Sequence, residues 1–170
     1  YAGYWLASEV PEKKKLLEDC WRTTKETLKA FVETGDALEY GKTYNQLSSS
    51  ACDRYAFEWS FQAREKIIKE ALEHGEHAIT LLSGAGEPNE LARAYVETAG
   101  CLSAFCLSFI SDMDERERYR QKSLDYWQEA VELSEETKAN IITIMNRLKK
   151  LESLGIIIQY RISVNLNKLG

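Results

Sequence analysis

A step of 51 residues carries Tyr40 and Tyr44 onto Leu91 and Tyr95, and a second such step reaches Ile142 and Asn146, with Ile141 and Met145 beside them. A step of 52 residues carries Ala71, Gly75 and Ala78 onto Ser123, Trp127 and Ala130. Self-similarity at a fixed period means stacked units, each too small to bury its apolar face alone, and this limits the possible folds more than composition does. Within each unit the apolar residues return every three or four positions, the period of a helix packed on one face. Two helices per period with short turns between them describe an array of helical hairpins. Polar–apolar alternation of strand length is missing, with the tail from Ile156 the one ambiguous stretch. The expected fold class is all-α, built of antiparallel helical hairpins.

Local signals divide the chain accordingly. Ser8-Glu9-Val10-Pro11-Glu12 reads as a helix start, with Pro in the first turn and acidic residues at the positive end of the dipole. Leu16, Leu17, Cys20, Trp21, Thr24, Leu28 and Phe31 continue it, and Gly35 stops it, with Asp36 placed to cap the next helix. The second helix carries Leu38, Tyr40, Tyr44, Leu47 and Ala51, and Ser48-Ser49-Ser50 is a place where it could loosen. A long helical pattern from Tyr55 to Leu82 includes Phe57, Trp59 and Phe61, without a clear start. Ser83-Gly84-Ala85-Gly86-Glu87-Pro88 is the strongest break. Helical pattern resumes at Leu91, Tyr95, Thr98, Leu102, Phe105 and Phe109, turns at 111–115, and runs again to Leu133. A further helix is expected over 139–154, ended by Gly155. The chain is therefore expected to be one helical repeat domain over 1–170, with units near 11–35, 36–84, 88–136 and 138–170, the last incomplete. It opens on Tyr1 rather than Met, which points to a fragment of a larger protein.

Composition narrows the function classes. With 44% hydrophobic and 29% charged residues, the 170-residue chain suits a folded domain with a sizeable core. A net charge of −5 argues against direct binding of nucleic acid, whose phosphates call for Lys and Arg. The densest basic run, Lys13-Lys14-Lys15, is flanked by Glu12, Glu18 and Asp19 and reads as a solvated helix face. Cys101 and Cys106 lie in the apolar run CLSAFCLSFI, ten residues long and too short to span a bilayer. With no C-x-x-C pair, Cys20, Cys52, Cys101 and Cys106 read as buried free thiols rather than a disulfide framework, which points to a reducing, cytoplasmic location. A membrane partner is not expected.

Catalytic and metal chemistry find little to work with. His74 and His77, the two histidines of the chain, lie in Glu73-His74-Gly75-Glu76-His77. Their spacing is neither the H-E-x-x-H of zinc proteases nor the paired E-x-x-H of di-iron bundles. They read as structural histidines, and a metal protein or helical-bundle enzyme centred on them is an alternative. Cys101 and Cys106 have no neighbouring His, and an apolar setting raises a thiol pKa. Ser83-Gly84-Ala85-Gly86 lacks the Lys and the preceding strand of a phosphate loop. The expectation is a non-enzyme with no cofactor and no metal. The aromatic residues Tyr40, Tyr44, Trp59, Tyr95, Tyr126 and Trp127 read mostly as core by their spacing, with some available to line a groove.

Ser123-x-x-x-Trp127-x-x-Ala130 resembles the second helix of a tetratricopeptide repeat, and Ala71-x-x-x-Gly75-x-x-Ala78 is similar with Gly in place of the aromatic. Tyr95, Thr98, Ala99 and Leu102 are a loose match to the first helix. The resemblance covers roughly 36–150. The period exceeds that family's ~34 residues, which implies longer helices. The resemblance implies a right-handed superhelix of stacked hairpins, with a closed helical bundle as the alternative fold, and a concave face lined by the first helix of each pair. On that face the polar positions opposite the Tyr and Leu residues are Lys42, Gln46, Arg93 and Glu97, the expected contacts to a protein or peptide partner. The function expected is a non-catalytic protein–protein interaction module, the scaffold or sensor part of a regulatory protein. Self-association through the open repeat ends, giving a homo-oligomer, is the other alternative. In this reading Ser123 and Ala130 let the first helix of their hairpin lie close, and Trp127 fills the gap between neighbouring hairpins.

Overall fold

The structure, a computed structural model, describes residues 10–137. Its elements are all helical: α1 Val10–Thr34, α2 Ala37–Phe57, α3 Phe61–Ser83, α4 Pro88–Phe109 and α5 Met113–Thr137, with no strand among the described residues. The all-α class is thus observed. The expected helix over 139–154, the unit 138–170 and the tail from Ile156 lie outside the described residues.

The helix ends are set by local chemistry. Gly35 takes the left-handed conformation (φ 69°) that closes α1. The Asp36 carboxylate then accepts from the backbone N–H of Leu38 and Glu39 at 3.0 and 3.1 Å, capping α2. Gly86 (φ 72°) and Pro88 turn the chain into α4, and Asp112 caps α5 by accepting from Glu115 N–H at 2.7 Å. The helix α2 runs unbroken through Ser48-Ser49-Ser50, because the side chains of Ser48 and Ser50 are satisfied without leaving the helix. Ser50 Oγ donates to the Gln46 carbonyl and Ser48 Oγ to the Ala71 carbonyl of α3, at 2.7 and 2.8 Å.

One expected helix starts later than its pattern, since residues 55–57 belong to the end of α2. The pattern from Tyr55 to Leu82 is interrupted at 58–60, where Glu58 accepts from the N–H groups of Trp59 and Ser60 at 2.8 and 2.9 Å and Ser60 caps α3. These bonds give the backbone an alternative to the helix ladder. Trp59, read from spacing as core, sits on the turn 94% exposed, and Phe61 is 61% exposed. Periodicity alone placed them wrongly, because apolar residues at a turn carry no record of the carboxylate that bends the chain.

Consecutive helices pack antiparallel, α2 against α3 and α4 against α5 most extensively, with α3 also packed on α4. Alternate helices meet as well. From Ser48 to Tyr55, contacts of α2 advance along α4 in the same direction: Ser48 Oγ lies 4.0 Å from Cys101 Sγ, and Tyr55 Oη lies 3.0 Å from Ser108 Oγ. The two helices therefore run parallel, side by side. On the other row, the rings of Trp21 (α1) and His74 (α3) lie 5.6 Å apart, and Tyr126 (α5) donates to Glu76 (α3) at 2.7 Å.

The core follows these seams. Ala51, Ile67, Ile68, Ala71, Cys101 and Phe105 form one cluster, and Ala78, Ile79, Leu82 and Ala94 a second. The third joins Val96, Ala99, Trp127 and Ala130, with Tyr95, Tyr126 and Val131 against it. Gly75 is there for closeness: a Cβ on it would overlap the Thr98 hydroxyl and lie 3.1 Å from Thr98 Cβ. Ser123 donates to the Ala99 carbonyl at 2.8 Å, so the small residues of that stripe do let α4 and α5 lie close. Among the described residues, Trp127, 2% exposed, packs against Val96, Ala99 and Ala130 of its own hairpin, and Tyr126 is the residue that reaches back to α3. The hairpin expected to follow lies outside the described residues.

A second correction concerns the thiols. Cys52 and Cys101 are joined in a disulfide, with Cα atoms 6.6 Å apart and a sequence separation of 49. Cys20 and Cys106 are free. The separation is close to one repeat period, which sets the two residues on adjacent parallel helices at nearly the same height. The pair therefore removes the argument for a reducing location. Among the described residues no helix is long and apolar enough to cross a membrane.

Candidate functional site

Each face of α2 is accounted for by a neighbour except one. Ser48 and Cys52 turn to the junction of α3 and α4, Gly41, Tyr44 and Ala51 to α3, and Ser50 to Cys20 of α1. The remaining stripe, at helical spacing, is Glu39, Lys42, Gln46 and Ser49. On α4 the corresponding stripe is Glu90, Arg93, Glu97 and Gly100, with Ala104 continuing it. Because α2 and α4 are parallel neighbours, the two stripes form one surface. Lys42, Gln46, Arg93 and Glu97 all lie on it: Arg93 is exposed and the other three are half-buried.

The cations on this surface are held in matching local pairs. Lys42 Nζ lies 2.8 Å from Glu39 Oε1, and Arg93 Nη1 lies 3.6 Å from Glu90 Oε2, each with its carboxylate three residues earlier. The hydrogen bond that Lys42 donates to Glu39 raises the Lys42 pKa above the ordinary lysine value, partly opposed by burial, and the charges of Glu39, Glu90 and Glu87 add to the rise. Gln46 donates to Ser50 Oγ at 3.2 Å. Further along, Ser49 and Gly100 leave the surface shallow, and a Cβ placed on Gly100 would meet nothing within 4 Å.

Glu39 and Glu90 were not singled out from the sequence, although the same 51-residue step relates them and also relates Ser49 to Gly100. Extending the step from the aromatic positions to every polar position of the helix would have found them. Their chemistry is ordering: a carboxylate one turn away restrains a long cationic side chain.

The histidines lie elsewhere. His77 stacks on the Tyr44 ring at 5.1 Å, while His74 is half-buried between Trp21 and Tyr44, 5.6 Å from each. Burial lowers the His74 pKa, and the nearby Lys25 charge lowers it further. Its Nε2 has no hydrogen-bond partner. Among the described residues no group of three or more His, Cys, Asp or Glu is placed to hold a metal ion. A scan against protein-family models, a search of curated proteins and a search of solved structures each found no match to this chain.

Proposed function

We propose that the protein is a non-catalytic interaction module of tetratricopeptide-like design, which receives an extended peptide or partner segment across the shared surface of α2 and α4. The observation that carries this reading is the pair of matched, carboxylate-restrained cations, Lys42 with Glu39 and Arg93 with Glu90, on parallel neighbouring helices. Restraining a side chain before it binds lowers the entropic cost of ordering it in a complex. The shallow stretch at Ser49 and Gly100 admits a peptide backbone beside them, and in this design the hairpins stack as a right-handed superhelix that makes the surface concave. Lys42 and Arg93 take acidic side chains or a terminal carboxylate, and Gln46 and Glu97 take polar groups of the peptide backbone or its donors.

Selection of a random-sequence peptide display library on the immobilised domain tests this. Enriched peptides should carry an acidic residue in a fixed position. They should weaken about tenfold or more when Lys42 and Arg93 are both changed to Ala, as expected for losing hydrogen bonds between charged groups. Enrichment of peptides indifferent to Lys42→Ala, Arg93→Ala and Glu97→Ala would count against the surface.

A further inference from the structure

The seam beneath that surface combines a covalent tie with a buried amide that has no hydrogen-bond partner. Its α2 side is the stripe Asn45, Ser48 and Cys52, small or polar throughout. Asn45 is 0% exposed, and neither its amide nitrogen nor its carbonyl oxygen has a hydrogen-bond partner. A buried amide in that state favours any movement that admits water to it. The disulfide from Cys52 to Cys101 resists such movement. The neighbouring seam between α4 and α5 has no covalent tie and is held by other means: the Trp127 ring packs on Val96, Ala99 and Ala130, although its Nε1 also lacks a partner, and Ser123 is bonded to both Ser103 Oγ and the Ala99 carbonyl.

We propose that Cys52–Cys101 is a redox-operated clamp on the α2–α4 seam, and that its reduction by a dithiol opens the seam at Asn45 and loosens the surface bearing Lys42, Gln46, Arg93 and Glu97. The effect on binding rests on the function proposed above; the clamp itself does not. Cys101 is fully buried while Cys52 is partly exposed, so an external thiolate attacks Cys52 Sγ. The S–S bond breaks, and Cys101 leaves as a thiolate that takes up a proton. The second thiol of the reductant then displaces Cys52 from the mixed disulfide, and the Cys52 thiolate takes up the second proton. Two electrons and two protons pass to the protein, and the reductant closes into its own disulfide. The remaining thiols stand apart from this exchange. Cys106 points to the Ser103 carbonyl at 3.3 Å with its pKa raised by burial, and Cys20 lies against Ser50 of α2. With the tie removed, two arrangements compete: a closed seam with a dry amide and an open one with a wet amide.

Hydrogen exchange followed by mass spectrometry, on the protein as purified and after dithiothreitol, is the test. Thiol titration should find Cys20 and Cys106 before reduction and all four cysteines after it. On reduction, amides over 42–52 and 94–101 should exchange faster by roughly an order of magnitude, with those over 123–130 changing much less. Asn45→Leu, which removes the amide that gains from opening, should suppress the response in the reduced protein. Cys52→Ser should reproduce it without reductant, and the dithiothreitol comparison on the unmodified chain stands even if that variant folds poorly. Unchanged exchange over 42–52, an equal rise over 123–130, or four titratable thiols in the untreated protein would each overturn the clamp. Peptides selected on the oxidised form should lose affinity on reduction, and equal binding to both forms would overturn the regulatory consequence. If exchange responds but no peptide can be selected, the clamp stands and the binding surface fails.

Discussion

The second helices of the two hairpins, α3 and α5, hold the same motif and use it differently. Under the 52-residue step His74-Gly75 corresponds to Tyr126-Trp127. The first member of each pair reaches back one helix in its row: His74 to Trp21 of α1, and Tyr126 to Glu76 of α3. The second member governs spacing. Gly75 has no side chain, so Thr98 of the next hairpin moves into its place, whereas Trp127 fills the interior of its own hairpin. Among the described residues, one position thus serves contact between hairpins in the first unit and closure within a hairpin in the second. The repeat conserves geometry, and the residue placed in it decides which seam is sealed.

Substitutions can separate these two uses. The largest expected effect is at the sealed seam: Trp127→Ala should cost about 3–5 kcal/mol, as large-to-small changes in a core do. Chemical denaturation with an unchanged m-value would measure it, and a loss below about 1 kcal/mol would show that Trp127 does not carry the α4–α5 core. Next comes Gly75→Ala. It gains about 1 kcal/mol of helix propensity but places a Cβ against Thr98, an overpacking that costs about 1–3 kcal/mol. The sign test is the double substitution with Thr98→Ala, which should recover stability relative to the sum of the single changes. Strict additivity would mean that the two residues do not share the gap.

A smaller change is expected from Tyr126→Phe. It removes the hydrogen bond to Glu76 and should cost about 0.5–1.5 kcal/mol. Burial first, and the Glu76 bond second, raise the Tyr126 pKa, so the phenol stays protonated and the effect should be flat from neutral to mildly alkaline pH. The smallest effect belongs to one imidazole. His74 has a pKa lowered below the ordinary 6.5 by burial and by Lys25 of α1, against opposing influence from Glu70 and Glu73, with His77 and Tyr44 also facing it. The unfolded chain then binds the proton more readily than the folded one. Stability should fall as pH drops through about 6.5 and level off once the folded form is also protonated. Replacing His74 with Phe should flatten that slope, and a slope that survives the replacement would have to come from other groups.

Much of the fold was legible because helices announce themselves through period and punctuation. Gly35-Asp36, Gly86 with Pro88, and Asp112 each carry the local chemistry of a helix boundary, and all three act as boundaries. The break at Glu58 was hidden, because it depends on a carboxylate folding back onto two N–H groups, a choice that tertiary packing settles. Ser123 and Ala130 were readable as a close-approach stripe, while the reach of Tyr126 back to α3 was not. Small residues report how near a neighbour lies, but not which neighbour. The disulfide was missed for a related reason: four cysteines without short spacings look unpaired until the repeat period is used as a ruler. On the surface of α2 and α4 the positions Lys42, Gln46, Arg93 and Glu97 came from the family resemblance together with the repeat register, and the carboxylates that restrain the two cations were passed over although the same 51-residue step relates them.

The bond between Cys52 and Cys101 also changes the connectivity of the molecule. It turns the backbone from one cysteine to the other, including the whole of α3 and the glycine-rich turn, into a closed ring with a tail at either side. A protease that cuts once at the exposed Gly84 or Gly86 therefore opens the ring without releasing a fragment. The nicked chain should migrate as one species in a non-reducing gel and as two when reduced, while an identically nicked Cys101→Ser variant should give two in both.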